Sequence, residues 1–236
     1  MSNFQKAGIL LTTLLVPALL YIFLRFGTEN HYVLPRYLPR IDSSRSEPLM
    51  GTVTLPDGRQ MTDTLYNHIP PFSLIDQNGD TVSQSLVKEK IYVASFFFTR
   101  CGTICPRISS QLTRVQDIFR NQSDVMLLSH SVDPEHDRPE QLLEYAQKYE
   151  ATPGKWYFLT GSKVEIYDLA LHGYYLPVVD AGVKEGKPDE TFIHSEKLVL
   201  VDKEGIVRGF YDGTDTKDVD RLVLEIRVLL DGYSKE

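Results

Sequence analysis

The chain has 236 residues, 42% of them hydrophobic and 24% charged, with a formal net charge of −7. This length supports one medium-sized core with additions. The acidic balance argues against nucleic-acid backbone binding, and two cysteines cannot build a disulfide scaffold.

Residues 7–24, AGILLTTLLVPALLYIFL, carry no charge. As a helix they span about 27 Å, close to a bilayer core. Pro17 falls inside the run, which membrane helices tolerate better than soluble ones. A cleaved signal peptide calls for a shorter apolar run and a small-x-small site; this run ends in bulky YIFLRF. No cysteine lies near it, which excludes a lipoprotein anchor. The expectation is a short tail over residues 1–6 and an uncleaved transmembrane anchor over residues 7–25. Lys6 precedes the anchor and Arg25, Arg36 and Arg40 follow it. Taken alone, that bias puts the following domain in the cytoplasm.

Residues 26–50 mix Pro, Ser and Arg without a period and read as a tether. The remainder, residues 51–236, is expected to form one domain. GTVTLPDGRQMTDTLY alternates around Asp57-Gly58, and FSLIDQNGDTVS around Asn78-Gly79, so each reads as a hairpin. IYVASFFF and VMLLSHSV are continuous apolar runs of strand length, suited to a buried sheet centre. Between them Ile108, Leu112, Val115 and Phe119 mark one face of a helix opening near Pro106. Asp137 and Glu140 around Pro139, and Ser162 with Glu165, read as capping boxes of two further helices, with the strand KWYFLTG between them. The second of those helices is expected over SKVEIYDLALHGYY. After a polar loop, residues 177–191, KLVLVDKEGIVRGFYDGT reads as a hairpin turning at Glu204-Gly205. A last helix carries Val219, Leu222, Val223, Ile226, Leu229 and Leu230 on one face. Hairpins, then βαβαβα, then ββα imply a mixed α/β sheet with helices on both faces. A strand running into a cysteine motif and a helix is the layout of a thioredoxin-like fold.

Cys101 and Cys105 are the chain's two cysteines, and both fall at this strand-to-helix junction. A helix N-terminus favours thiolate, the form needed for disulfide exchange and for metal binding. A structural disulfide closing so small a loop would add little stability. Thioredoxin-type exchange uses C-x-x-C; C-x-x-x-C leaves room for two thiolates on one ion. Soft thiolates select Cu(I), Zn or Fe–S, and closed zinc or cluster sites usually take four ligands. Two sulfurs therefore point to copper.

A third ligand is sought among six histidines. His31, His68 and His172 suit surface or packing roles. His130 and His136, in SHSVDPEHD, could share a sheet edge with the cysteines. His194, in TFIHSEKLVLVD, directly precedes a strand and is the foremost candidate. Thioredoxins place a proline near the start of that strand; here none follows Pro188, which favours metal over general disulfide reduction.

FFFTRCGTICPRIS, SHSVDPEHDRPEQLLEYA, WYFLTGSKVEIYDLA and FIHSEKLVLVDKEGIVRGFYDG together resemble the Sco/SenC family over roughly residues 70–230. Its members are membrane-anchored, thioredoxin-like copper chaperones for cytochrome c oxidase assembly. The resemblance implies Cys101, Cys105 and His194 as copper ligands. It also implies exchange with other copper carriers and with the copper-site subunit of the oxidase. Two positions depart from the family: Gly102 stands where proline is common after the first cysteine, and Ile193 where Asp is frequent. Asp133 is read as an outer contributor to the site or as a turn residue before Pro134. The same dithiol could instead serve a thiol–disulfide reductase that keeps the oxidase cysteines reduced, or a redox or copper sensor without turnover. The family's site of action implies a soluble domain outside the cytoplasm. For a bacterial chain that means the periplasm, on a single-pass inner-membrane anchor, against the arginine bias. The loop of residues 177–191 is an expected partner-recognition element.

Overall fold

The structure is a computed structural model that describes residues 3–26, 32–54, 58–176 and 196–235. It divides into two compact units, Met1–Val33 and Leu34–Glu236.

The first unit contains the helix α1 (Asn3–Phe26). Its stretch Phe4–Phe23 is long and apolar enough to cross a membrane, by length and composition. The Thr12 and Thr13 hydroxyls donate back to the Gly8 and Ile9 carbonyls at 2.8 and 2.6 Å, which lets polar side chains sit in an apolar helix.

The second unit opens with three hairpins. The short strands β1 (Ile41–Asp42) and β2 (Glu47–Pro48) pair first, then β3 (Met50–Thr54) with β4 (Gln60–Thr64), then β5 (Ser73–Ile75) with β6 (Thr81–Ser83). At the third turn the Asp76 carboxylate accepts the N–H groups of Asn78 and Asp80, and Gly79 takes a φ of +85° that only glycine adopts freely. The central elements then follow: β7 (Ile91–Phe97), α2 (Ile104–Ile118), β8 (Val125–Ser131), α3 (Pro139–Lys148) and β9 (Trp156–Leu159). After them come α4 (Lys163–Asp168), β10 (Lys197–Val201), β11 (Val207–Asp212) and α5 (Thr216–Tyr233). The sheet order is β11-β10-β7-β8-β9, with β7, β8 and β9 parallel and β10 and β11 antiparallel. The fold is thioredoxin-like.

Every residue of β7 and β8 is buried, as their unbroken apolar runs require. Strand alternation divides the side chains between two cores. Ile91, Val93 and Phe97 pack with α2, α3 and α5, and this core includes both cysteines. Tyr92, Ala94 and Phe96 pack with the β5–β6 hairpin and α4.

Three local readings change. Asp137 does not cap α3; the N-cap is Arg138, without a side-chain cap bond. Ser162 is the N-cap of α4 but makes no side-chain cap bond, and Glu165, instead of returning to the Ser162 N–H, accepts the Ser73 N–H at 2.8 Å. The helix after Ser162 does not run on evenly either: α4 ends at Asp168 and continues as a π-helical turn, Leu169–Gly173.

Leu34, the first residue of this unit, is buried. Arg208 donates to the Leu34 carbonyl at 2.5 Å and to the Pro35 carbonyl at 2.9 Å. Its third contact is Asp202 at 2.9 Å, a buried ion pair. The Asp202 carboxylate also accepts the N–H groups of Glu204 and Ile206, so the β10–β11 turn and the segment at Leu34 form one hydrogen-bonded unit.

Candidate metal centre

β7 ends at Phe97, and the chain turns through Thr99, Arg100 and Cys101 into α2, which opens at Ile104. The helix therefore starts two residues before Pro106, and Cys105 lies within its first turn while Cys101 precedes it. Both cysteines are free. The Cys105 N–H donates to Cys101 Sγ at 3.4 Å.

The helix end acts on the two sulfurs unequally. Partial burial pushes the Cys101 thiol up, but hydrogen bonds from the Cys105 thiol, the Thr103 and Cys105 amides and the Thr103 hydroxyl outweigh it and hold it below its ordinary value. Cys105 is pushed up to about 12, first by burial and then by the neighbouring Cys101 sulfur. The expectation that the helix terminus favours both thiolates thus holds for Cys101 alone. Iodoacetamide at pH 8 should modify Cys101 well ahead of Cys105, read by peptide mass mapping; equal rates would contradict the asymmetry.

The loop after β8 holds the cysteine loop in place. Asp137 is fully buried and accepts the Thr99 N–H at 3.0 Å, the Thr99 hydroxyl at 2.5 Å and the Ser131 hydroxyl at 2.5 Å. Asp133, also buried, takes Arg100 Nη2 at 2.5 Å and Nε at 3.2 Å, with His136 Nδ1 at 2.9 Å from its other oxygen. Asp133 is thus tied to the residue before Cys101. Thr99, Arg100 and Asp137 had no signal in the sequence as a set, because their partners lie more than thirty positions apart.

The histidines separate clearly. His130 is fully buried on the opposite face of the sheet from the cysteines, stacked on Phe96 at 4.9 Å, so it is not a ligand. His136 is exposed and beside Asp133. His68 contacts the Glu204 carbonyl at 2.8 Å, and exposed His172 pairs with Asp168 at 2.7 Å. His31, His194, Ile193 and the loop of residues 177–191 lie outside the described residues. Among the described residues no group of three or more His, Cys, Asp or Glu side chains could hold a metal ion. The described site therefore offers two soft sulfurs, a donor set that fits a soft cation of low coordination number.

A thioredoxin-like domain with a spaced dithiol where the first central strand meets its helix belongs to the class of thiol-exchange and soft-metal proteins. Within that class, a family model for SCO1/SenC matches residues 60–230, and the chain belongs to this family. The SCO1 protein homolog of Bacillus subtilis (strain 168) is 34% identical over 172 residues, covering 72% of this chain and 86% of its own. Among solved structures, BsSco, a member of the Sco family of cytochrome c oxidase assembly proteins, is 34% identical with a TM-score of 0.58, over 71% of this chain and 95% of that one. Arabidopsis thaliana ScoI with copper bound is 32% identical with a TM-score of 0.54, over 68% and 99%.

Proposed function

We propose that the chain is a copper chaperone. It binds Cu(I) through Cys101 and Cys105, takes His194 as third ligand, and delivers the ion by ligand exchange to the binuclear copper site of cytochrome c oxidase. Copper is cargo here, received from and passed to other carriers. The observation that carries this reading is the unequal sulfur pair itself: two soft donors, one ionised more easily than a free thiol, in a chain with no other cysteine. Copper-bound structures of relatives support the metal. The register of β10 supports His194. With Val199 opposite Ala94 and Val201 opposite Tyr92, the start of β10 lies at the cysteine end of β7, and His194 precedes Lys197 by three residues. The apolar helix α1 would anchor the chain in the inner membrane, with the copper domain in the periplasm.

The same asymmetry favours a second reading, a thiol–disulfide reductase. Cys101 thiolate attacks a partner disulfide and displaces one partner thiolate. Cys105 then gives up its proton and attacks the mixed disulfide, leaving a Cys101–Cys105 disulfide and a reduced partner dithiol.

Anaerobic Cu(I) competition against a chromogenic chelator separates the two, using the full chain in detergent micelles. The chaperone predicts one tightly held Cu(I), lost in Cys101→Ser and Cys105→Ser and weakened about 10- to 100-fold in His194→Ala. Folded wild-type protein that retains no Cu(I) would leave the reductase.

A further inference from the structure

The head of α2 is capped by a sulfur. Thr103 is the N-cap residue and is of a type that ordinarily caps through its hydroxyl, yet it makes no side-chain cap bond. An N-cap oxygen accepts the amide of the second or third helical residue. Here the third is Pro106, which has no N–H, so only the Cys105 N–H is left for such a cap. That amide donates to Cys101 Sγ at 3.4 Å. The cysteine sulfur therefore stands where the threonine hydroxyl would be. Thr103 Oγ1 lies 4.0 Å from the same sulfur. Its backbone, at φ −122° and ψ −80°, is turned away from the extended conformation of an ordinary N-cap. Thr103 is exposed, as is Gly102, where an added Cβ would meet nothing within 4 Å, so this pair has room to turn.

We propose that Thr103 is a positioning residue that trades places with Cys101 as the cap of α2. When the sulfur turns to an ion or a partner protein, ψ of Thr103 swings to the extended range and its hydroxyl accepts the Cys105 N–H. When the sulfur returns, it displaces the hydroxyl. Two acceptors thus share one donor, and Cys101 can be engaged without leaving a bare amide at the helix head. Without the substitute, every engagement of the sulfur would strip α2 of its cap and pull the sulfur back. What engages Cys101 rests on the proposed function; the exchange of caps rests on the geometry at Thr103.

The test is amide hydrogen exchange on the ¹⁵N-labelled full chain, reduced and metal-free in detergent micelles, with the β7 and β8 amides as the gauge of an intact fold. The Cys105 amide should be protected in the wild type and in Thr103→Val, where the sulfur holds it. It should stay protected in Cys101→Ala, where the hydroxyl takes over. Cys101→Ala combined with Thr103→Val should lose protection about 5- to 10-fold, and Cys101→Ala combined with Thr103→Ser should keep it. Cys101→Val supplies a second background should alanine loosen the core. Loss in Thr103→Val alone would make Thr103 the resident cap, and loss in Cys101→Ala alone would mean that nothing replaces the sulfur; either overturns the proposal. So does protection that survives the Ala and Val pair, or a Cys105 amide that is unprotected in the wild type. No metal enters the measurement, so this result and that of Cu(I) competition fail independently.

Discussion

Asp137→Ala is expected to destabilise the domain by about 3–5 kcal/mol, because it strips the acceptor from three donors at once. The carboxylate is fully buried and accepts three bonds, one from a backbone amide. Alanine leaves the Thr99 N–H and two hydroxyls without their acceptor. Asp137→Asn keeps one acceptor oxygen but turns an amide NH₂ toward donors, and should cost roughly half as much. Urea unfolding followed by fluorescence reads this directly, because Trp156 is the chain's single tryptophan and is fully buried. The second consequence is chemical. Thr99 lies two positions before Cys101, so releasing it loosens the loop that shields the dithiol, and Cys105 should become open to alkylation. A loss under about 1 kcal/mol, with Cys105 still protected, would mean that Asp137 does not hold the loop.

The second large effect concerns acid. Burial pushes His130 down to about 4 from an ordinary 6.5, against a weak opposing contact at 3.3 Å with the Ser95 carbonyl. Phe96, Tyr174 and Phe72 surround the ring, with centroids at 4.9, 5.7 and 6.4 Å, and Nε2 has no hydrogen-bond partner. Below pH 6.5 the unfolded chain takes up a proton that the folded chain refuses until pH falls to about 4. The stability is therefore fully present above 6.5 and is lost on the way down to 4, by up to about 3 kcal/mol. His130→Phe removes both the titration and the unpaired nitrogen while preserving ring packing. It should match or exceed the wild type at pH 7 and be clearly more stable at pH 4.5, measured by the same urea curves. Because all carboxylates are shared, the difference between the two proteins isolates the imidazole; identical pH slopes would remove His130 as the cause.

Where one residue type had one physical use, the sequence was readable. Strands β7 and β8 show as apolar runs because both faces of a central strand are covered, and the hairpin at Asn78-Gly79 shows because few residues suit a positive φ. The cysteine loop was legible from two rare residues at a strand-to-helix junction. The misread residues had more than one use open to them. Asp137 and Glu165 sit at capping positions, yet tertiary donors at Thr99, Ser131 and Ser73 compete for them and win. His130 stood beside His136 in the sequence as an equal ligand candidate. Strand alternation decides between them, turning His130 into the far core while His136 follows the strand and reaches the loop. The π-helical turn at Leu169–Gly173 has no local sequence mark, since it differs from α-helix by one hydrogen-bond offset.

The hold of Arg208 on Leu34 and Pro35 joins the first residues of the second unit to its β10–β11 turn. The contact between Arg208 and Leu34 spans 174 positions, so most of the chain must be synthesised before it can close. Until then the Leu34 carbonyl has no guanidinium to meet it, and the beginning of the domain is fixed by one of its last-made residues.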